Sequence, residues 1–419
     1  MLQKQKALII GVNLNGQPDF HESMDELHNL AIACEFTVVG RAEQNLKTAN
    51  SAYYIGYGKI EEIRLLTEET EANIIIFNNE LSPSQVKNLE KELDLEILDR
   101  TSLILEIFAK RAKTREAKLQ VESARLKYLL PKLIGSNESL GRQSGGVGTR
   151  NRGSGEKKLE LDRRKIEEKI SELNKELKLL ENERKTQKKM RSKTDFPSVA
   201  LVGYTNAGKS TLMNAMVEFS QKSESKKVFE KDMLFATLET SVRRISLPEN
   251  RTILLSDTVG FVNKLPHDLV KAFRSTLDEV RDADLLLHII DSSHPNFRQQ
   301  MEVTNETLCQ IGAKTIPTIY VFNKADLTSM KIPSVDGDSV FISAKEKIGI
   351  TELIQLIIRK AFSRYRECRM LIPYDQGRIV SYLNENAHIK SVSYESNGTL
   401  LDLECKEQDY QKYEEFVVQ

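Results

Sequence analysis

The stretch Gly203 to Ser210 reads GYTNAGKS. It stands between a strand-like run, Ser198–Gly203 (SVALVG), and a helix-forming run that opens at Thr211 (TLMNAMV). A strand, a glycine-bearing loop and a helix in that order form a phosphate-binding loop, and such loops belong to α/β domains with parallel sheets. Gly203 and Gly208 permit backbone geometry that aims the N–H groups of Tyr204, Thr205, Asn206 and Ala207 at phosphate oxygens. The helix N-terminus adds partial positive charge. Lys209 is expected to reach the β- and γ-phosphates, and the Ser210 hydroxyl to ligate Mg²⁺.

Further segments decide which nucleotide is held. Ile253 to Ser256 (ILLS) leads into Asp257-Thr258-Val259-Gly260. An apolar strand ending in Asp sets a carboxylate beside the metal, usually through a bound water. The Gly260 N–H is placed to sense the γ-phosphate. Thr318 to Phe322 (TIYVF) delivers Asn323-Lys324-Ala325-Asp326. An Asp carboxylate accepts from both N1–H and the exocyclic amine of guanine. Adenine lacks that donor pair, so Asp326 selects GTP over ATP, because a site built on a polar pair rejects the analogue that leaves it unpaired. Asn323 is expected to tie this loop to the phosphate loop or to the base. Ser343-Ala344-Lys345 follows the strand Ser339 to Ile342, and the Ala344 N–H is expected at the base O6.

Between the phosphate loop and DTVG lies Phe235-Ala236-Thr237-Leu238-Glu239-Thr240. A Thr there completes Mg²⁺ coordination only when the γ-phosphate is present, which orders a loop that relaxes after hydrolysis. Thr237 and Thr240 both qualify on chemistry. After DTVG comes Phe261, where many small GTPases carry a Gln that orients the attacking water. Phe cannot hydrogen-bond water in that way. Slow hydrolysis without a partner is the expectation, no catalytic residue is assigned, and His267 reads as a surface side chain.

A chain of 419 residues needs more than one domain. Strands and helices alternate through the first hundred residues: Lys6 to Val12, Ser23 to Ala33, Phe36 to Gly40, Lys59 to Glu69, Asn73 to Phe77, a helix opened by Ser82-Pro83, and Leu95 to Leu98. That alternation predicts a parallel α/β sheet. Thr101 to about Leu130 has no Pro or Gly and reads as one long helix ended by Pro131. A glycine-rich loop carrying Arg142, Arg150 and Arg152 follows. A second long helix then runs to about Lys193, with Leu159, Ile166, Ile170, Leu173, Leu177 and Leu180 at heptad-like spacing. The two helices read as an antiparallel pair. The tail predicts a hairpin, Ile389 to Glu395 and Thr399 to Cys405, joined by an Asn397-Gly398 turn.

The expected fold class is therefore α/β. A P-loop GTPase domain (196–365) is preceded by an α/β N-terminal domain (1–100) and a long antiparallel helical linker (101–195). A small α+β C-terminal domain (366–419) follows it.

Sixty-one basic residues balance sixty-one acidic ones, so any nucleic-acid affinity must come from a local basic patch. Four scattered cysteines without CxxC spacing argue against zinc and against a disulfide framework. The apolar run at the N-terminus is too short for a signal-peptide core, and no stretch approaches a membrane span. Cytoplasmic residence is the default, with peripheral membrane association left open.

GYTNAGKST, FATLE, DTVGF and NKAD together resemble the HflX family of translation-associated GTPases, as does GGVGTRNRGSGE at Gly145 to Glu156. The resemblance covers nearly the whole chain. It implies GTP/GDP and Mg²⁺ as ligands and favours Thr237 as the magnesium-binding switch residue. It also implies the 50S ribosomal subunit and its rRNA as partners, a protein monomeric when free, and a role in splitting or rescuing stalled 70S ribosomes. One departure stands out. The family's glycine element usually continues into a GPGE-T-Q-L-E-like run, whereas here Gly153-Ser154-Gly155-Glu156-Lys157-Lys158-Leu159-Glu160 lacks the proline and is more basic. That bears on contacts of the loop tip, where Arg and Lys suit RNA phosphates. The competing function is a GTP-gated RNA-binding assembly factor or RNA chaperone.

Overall fold

A computed structural model describes residues 5–141, 152–191, 196–220, 241–249, 251–263, 279–363 and 365–418. The chain divides into two compact units. The described residues up to 190 form the first, with 262–263, and those from 191 onward form the second.

The first unit is built on four parallel strands in the order β2-β1-β3-β4: β1 (Lys6–Leu14), β2 (Thr37–Leu46), β3 (Ile74–Phe77) and β4 (Glu96–Asp99). All four residues of β3 and the central six of β1 are buried. Continuous apolar runs of this kind belong to strands covered on both faces. Helices α1 (Phe20–Ala33), α2 (Tyr57–Thr70), α3 (Pro83–Leu93) and α4 (Arg100–Arg111) follow the strands in turn. A capping box opens α3. The Ser82 hydroxyl accepts from Gln85 N–H at 3.3 Å, and the Gln85 side chain accepts from Ser82 N–H at 2.9 Å.

The single helix expected from Thr101 to Leu130 is two. α4 stops at Arg111, and α5 (Arg115–Gly141) starts after an extended residue at Ala112. Thr114 supplies the break, since its hydroxyl accepts from Ala117 N–H at 3.2 Å as an N-cap does. Pro131 lies inside α5 instead of ending it. A proline removes one i→i−4 bond, a cost that a helix can absorb by bending. Helix α6 (Arg152–Arg191) lies beside α5, with Arg115 bound to Glu176 at 2.9 Å. Of its apolar stripe, Leu173 is buried, and Ile166, Ile170, Leu177 and Leu180 are half-buried. Most of the glycine-rich loop lies outside the described residues.

The second unit contains a seven-stranded sheet in the order β10-β11-β9-β8-β5-β7-β6. Its strands are β5 (Ser198–Gly203), β6 (Ser241–Ser246), β7 (Thr252–Asp257), β8 (Leu285–Asp291), β9 (Thr318–Asn323), β10 (Ser334–Asp336) and β11 (Ser339–Phe341). The five inner strands are parallel and the two edges antiparallel. Helices α7 (Lys209–Phe219), α8 (Phe297–Gln310) and α9 (Ile350–Ala361) complete the layers.

A four-stranded antiparallel sheet, β13-β14-β12-β15, makes the C-terminal part, with β12 (Tyr365–Ile372), β13 (His388–Glu395), β14 (Gly398–Lys406) and β15 (Val417–Val418). The β13–β14 hairpin forms as predicted, but its turn is Ser396-Asn397, because Gly398 already pairs with Glu395. A Cβ on Gly398 would lie 2.3 Å from the Ile372 carbonyl oxygen, so the glycine serves close strand approach and not the turn. Among the described residues no helix is long and apolar enough to cross a membrane.

Candidate nucleotide site

Strand β5 sits between β7 and β8, and the phosphate-loop sequence leaves its carboxyl end, where open α/β sheets bind ligands. Gly203 and Gly208 take φ values of +147° and +94°. Both positions exclude a side chain. A Cβ on Gly203 would lie 2.2 Å from Ile289 O, and one on Gly208 would lie 2.2 Å from Asn323 Nδ2. Gly208 is the N-cap of α7, and no side chain caps that helix end. Its first N–H groups point out of the helix toward the loop, which is the arrangement that receives a phosphate. Tyr204, Thr205 and Ala207 are buried, Asn206 is exposed with φ +62°, and Thr211 is half-buried on α7.

Lys209 is 7 % exposed, and its ammonium donates to Gly203 O at 3.0 Å and Tyr204 O at 2.7 Å. Burial pushes its pKa down to about 8, with the Asp257 carboxylate pulling the other way. A phosphate would replace the two carbonyls with a full counter-charge. The Ser210 hydroxyl donates to Asp257 Oδ2 at 2.8 Å, and Asp257 is fully buried. A hydroxyl beside a carboxylate at the foot of a phosphate loop fits a hard divalent cation. Mg²⁺ held by this pair would neutralise phosphate charge. Thr258 anchors the turn, donating to Leu201 O at 2.5 Å. Val259 and Gly260 are buried, and a Cβ on Gly260 would meet Thr205 Cγ2 at 2.8 Å and Lys209 Nζ at 2.9 Å. The turn after β7 is stitched to the phosphate loop by Thr205 N–H to Phe261 O at 2.7 Å and Phe261 N–H to Gly203 O at 3.2 Å.

Asn323 links the phosphate loop to the loop that carries Ser343 and Ala344. Its Nδ2 donates to Ala207 O at 2.9 Å, and its Oδ1 accepts from Ala344 N–H at 2.9 Å. The expected tie to the phosphate loop is therefore present. The Ala344 N–H, expected at the base O6, instead joins its own loop to Asn323. Lys324 takes φ +57° and donates to Asp291 at 2.7 Å, Ala325 is buried, and Asp326 is exposed. Ser343 and Ala344 are buried and Lys345 is exposed. Phe235, Ala236, Thr237, Leu238, Glu239 and Thr240 lie outside the described residues, as does His267.

One neighbour of the site escaped sequence reading. His288, on β8, pairs in register with Val202 and with Tyr320, and it is 1 % exposed. Burial, and then the Lys209 ammonium, pushes its pKa down to about 4. In LLLHIID its environment depends on two neighbouring strands, which only the fold supplies.

Known proteins match the chain over nearly its whole length. Residues 21–109 match a family model described as GTP-binding GTPase N-terminal, residues 111–191 one described as GTP-binding GTPase Middle Region, and residues 198–324 one described as 50S ribosome-binding GTPase. The GTPase HflX of Caldanaerobacter subterraneus is 42% identical over 99% of this chain and 94% of its own length. That of Escherichia coli is 36% identical over 94% of this chain and 92% of its own. A solved GTP-binding protein of Sulfolobus solfataricus in complex with GDP is 26% identical, with 86% of this chain and 99% of that one covered and a TM-score of 0.45. Identity at this level, over nearly the full length of the HflX relatives, makes this GTP-binding and GTP-hydrolysing chain a member of the HflX family of GTPases.

Proposed function

We propose that this GTPase binds the large (50S) ribosomal subunit and uses GTP hydrolysis to split or rescue stalled 70S ribosomes. The observation that carries the reading is the match of residues 198–324 to the 50S ribosome-binding GTPase model, within a chain that also matches the N-terminal and middle models of the same proteins. The functional division follows the sequence boundaries: 1–100 and 101–195 engage the ribosome, 196–365 holds the nucleotide, and 366–419 follows as a small domain.

In this reading Lys209 and the N–H groups that open α7 bind the β- and γ-phosphates, Ser210 and Thr237 hold Mg²⁺, and Asp326 selects guanine. The γ-phosphate contact at Gly260 orders the turn that Phe261 stitches to the phosphate loop. The basic glycine-rich loop contacts rRNA, and ribosome contact accelerates a slow intrinsic hydrolysis. The test is the GTPase rate alone, with 50S subunits and with 70S particles, alongside sedimentation of 70S particles with the protein and GTP. Stimulation with loss of the 70S peak is expected. No stimulation by either particle overturns the ribosomal reading, and stimulation without splitting supports an assembly or chaperone role.

A further inference from the structure

Hydrolysis needs a group that holds the attacking water, and Phe261 offers none. Its side chain is 3 % exposed, and its backbone bonds to the phosphate loop. The hydroxyls and amide around this corner are engaged. Thr258 Oγ1 donates to Leu201 O, Ser256 Oγ to Val199 O, and Asn323 Nδ2 to Ala207 O.

Thr205 differs from them. It is 6 % exposed, and its Oγ1 is buried without a hydrogen-bond partner among the described residues. A buried hydroxyl left unpaired is unfavourable, and such an atom beside a ligand site calls for a ligand. Thr205 is also held in place, since its N–H donates to Phe261 O at 2.7 Å. Its Cγ2 and Lys209 Nζ both lie within 3 Å of where a Cβ on Gly260 would sit, so its side chain lines the same niche as the γ-phosphate sensor and the phosphate lysine. One staggered step of χ1 exchanges methyl for hydroxyl on that wall.

We infer that the Thr205 hydroxyl contacts the attacking water and the γ-phosphoryl group, supplying the side-chain hydrogen bond that Phe261 cannot. In the step it assists, a bond forms from the water oxygen to Pγ as the bond from Pγ to the β–γ bridging oxygen breaks. The electron pair of the broken bond leaves with GDP, and the water proton passes to the new phosphate and on to solvent. A hydroxyl both accepts and donates, so Thr205 can accept from the water while donating to a γ-oxygen. A fixed hydroxyl of this kind acts in the transition state more than in the ground state.

The test uses Thr205→Val, which keeps the shape and removes the hydroxyl, and Thr205→Ser, which keeps the hydroxyl and removes the methyl. Both are made in the full chain and assayed by single-turnover GTP hydrolysis, with GDP affinity measured in parallel. The valine variant is expected to hydrolyse about 30- to 100-fold more slowly, with GDP affinity within twofold of the parent, whereas the serine variant stays within threefold in rate. Valine hydrolysing at the parent rate overturns the inference. So does serine falling as far as valine, which would show that keeping the hydroxyl does not keep the rate, or valine losing GDP affinity in step with the rate. If the valine variant does not fold, Thr205→Ala repeats the test, and an unchanged rate there is equally fatal.

Discussion

Two sheets in this chain, one parallel and one parallel in its five inner strands, were built from the same local rules and ended differently. In the N-terminal sheet, most of the polar groups at the carboxyl ends of β3 and β4 pair with one another, Arg100 Nε being the buried exception among the described residues. Arg100 is 3 % exposed, bonds to Glu26 and donates to Asn78 Oδ1 at 2.9 Å. Asp99 caps α4 by accepting from Ser102 N–H at 2.9 Å and also accepts from Tyr128. Ser82 and Gln85 cap α3. Helix α2 has an uncapped glycine N-terminus, but the lysine in its first turn, Lys59, is bound to Glu62 at 2.8 Å. In the GTPase sheet, α7 begins at a left-handed glycine without a cap, and its lysine rests on two backbone carbonyls. One sheet spends its strand-end polarity on its own stability and the other reserves it for a ligand. Architecture alone does not separate them.

The contrast breaks first at Lys209. Lys209→Ala is expected to weaken GTP binding by roughly 1,000-fold, about 4 kcal/mol, while the thermal unfolding midpoint moves little. Equilibrium titration with a fluorescent GTP analogue reads it, and retained affinity would show that the α7 end is closed after all. The opposite substitution is Arg100→Ala. It leaves half-buried Glu26 and buried Asn78 without their cation, which costs about 3–4 kcal/mol of stability in urea unfolding, with GDP affinity expected to hold within twofold. Loss of nucleotide affinity without loss of stability would erase the distinction between the two sheets.

His288 gives the third test, through pH. Its pKa is near 4 in the folded chain against an ordinary 6.5 for a solvated imidazole, because burial disfavours the charged form. Above about pH 7.5 the imidazole is neutral in both states and costs nothing. As pH falls from there to about 4 the unfolded chain takes up a proton that the folded chain refuses, so stability is lost by about 3 kcal/mol. The urea midpoint of the parent should therefore drop between pH 7.5 and 4.5 by more than that of His288→Leu. Parallel pH profiles would mean that the His288 site admits water.

Much of this was written in local sequence. KALIIGV and NIIIF are continuous apolar runs, and such runs become strands covered on both faces whatever lies elsewhere in the chain. The phosphate loop, DTVG and NKAD were legible because each function needs particular atoms at the end of a strand. The parts that were not legible depend on distant partners. Nothing near Gly398 announces the Ile372 carbonyl that takes the glycine out of the turn. The break between α4 and α5 rests on one threonine hydroxyl in a stretch of helix formers. Thr205 was legible as a phosphate-loop residue, but its buried hydroxyl, unpaired among the described residues, depends on the turn after β7 folding over it.

The smallest expected effect probes the closed helix end directly. Ser82→Ala removes the hydroxyl that accepts from Gln85 N–H and leaves Gln85 bonded to Ser82 N–H and to Asn50 O at 2.9 Å. Half of the capping box survives, so the loss should be about 1 kcal/mol, read as a small shift in urea midpoint with no change in GTP hydrolysis. The comparison is with α7, where the cap position is Gly208 and no side chain is present to remove. At α3 the orphan N–H groups are satisfied by the helix's own residues, so the cost of opening them appears as stability. At α7 the same groups are left to the nucleotide, so the corresponding stabilisation should appear only when nucleotide is added, as a rise in unfolding midpoint with GDP concentration. A Ser82→Ala midpoint that GDP restored would mean that the two helix ends are coupled, and the separation between a self-capped and a ligand-capped sheet would fail.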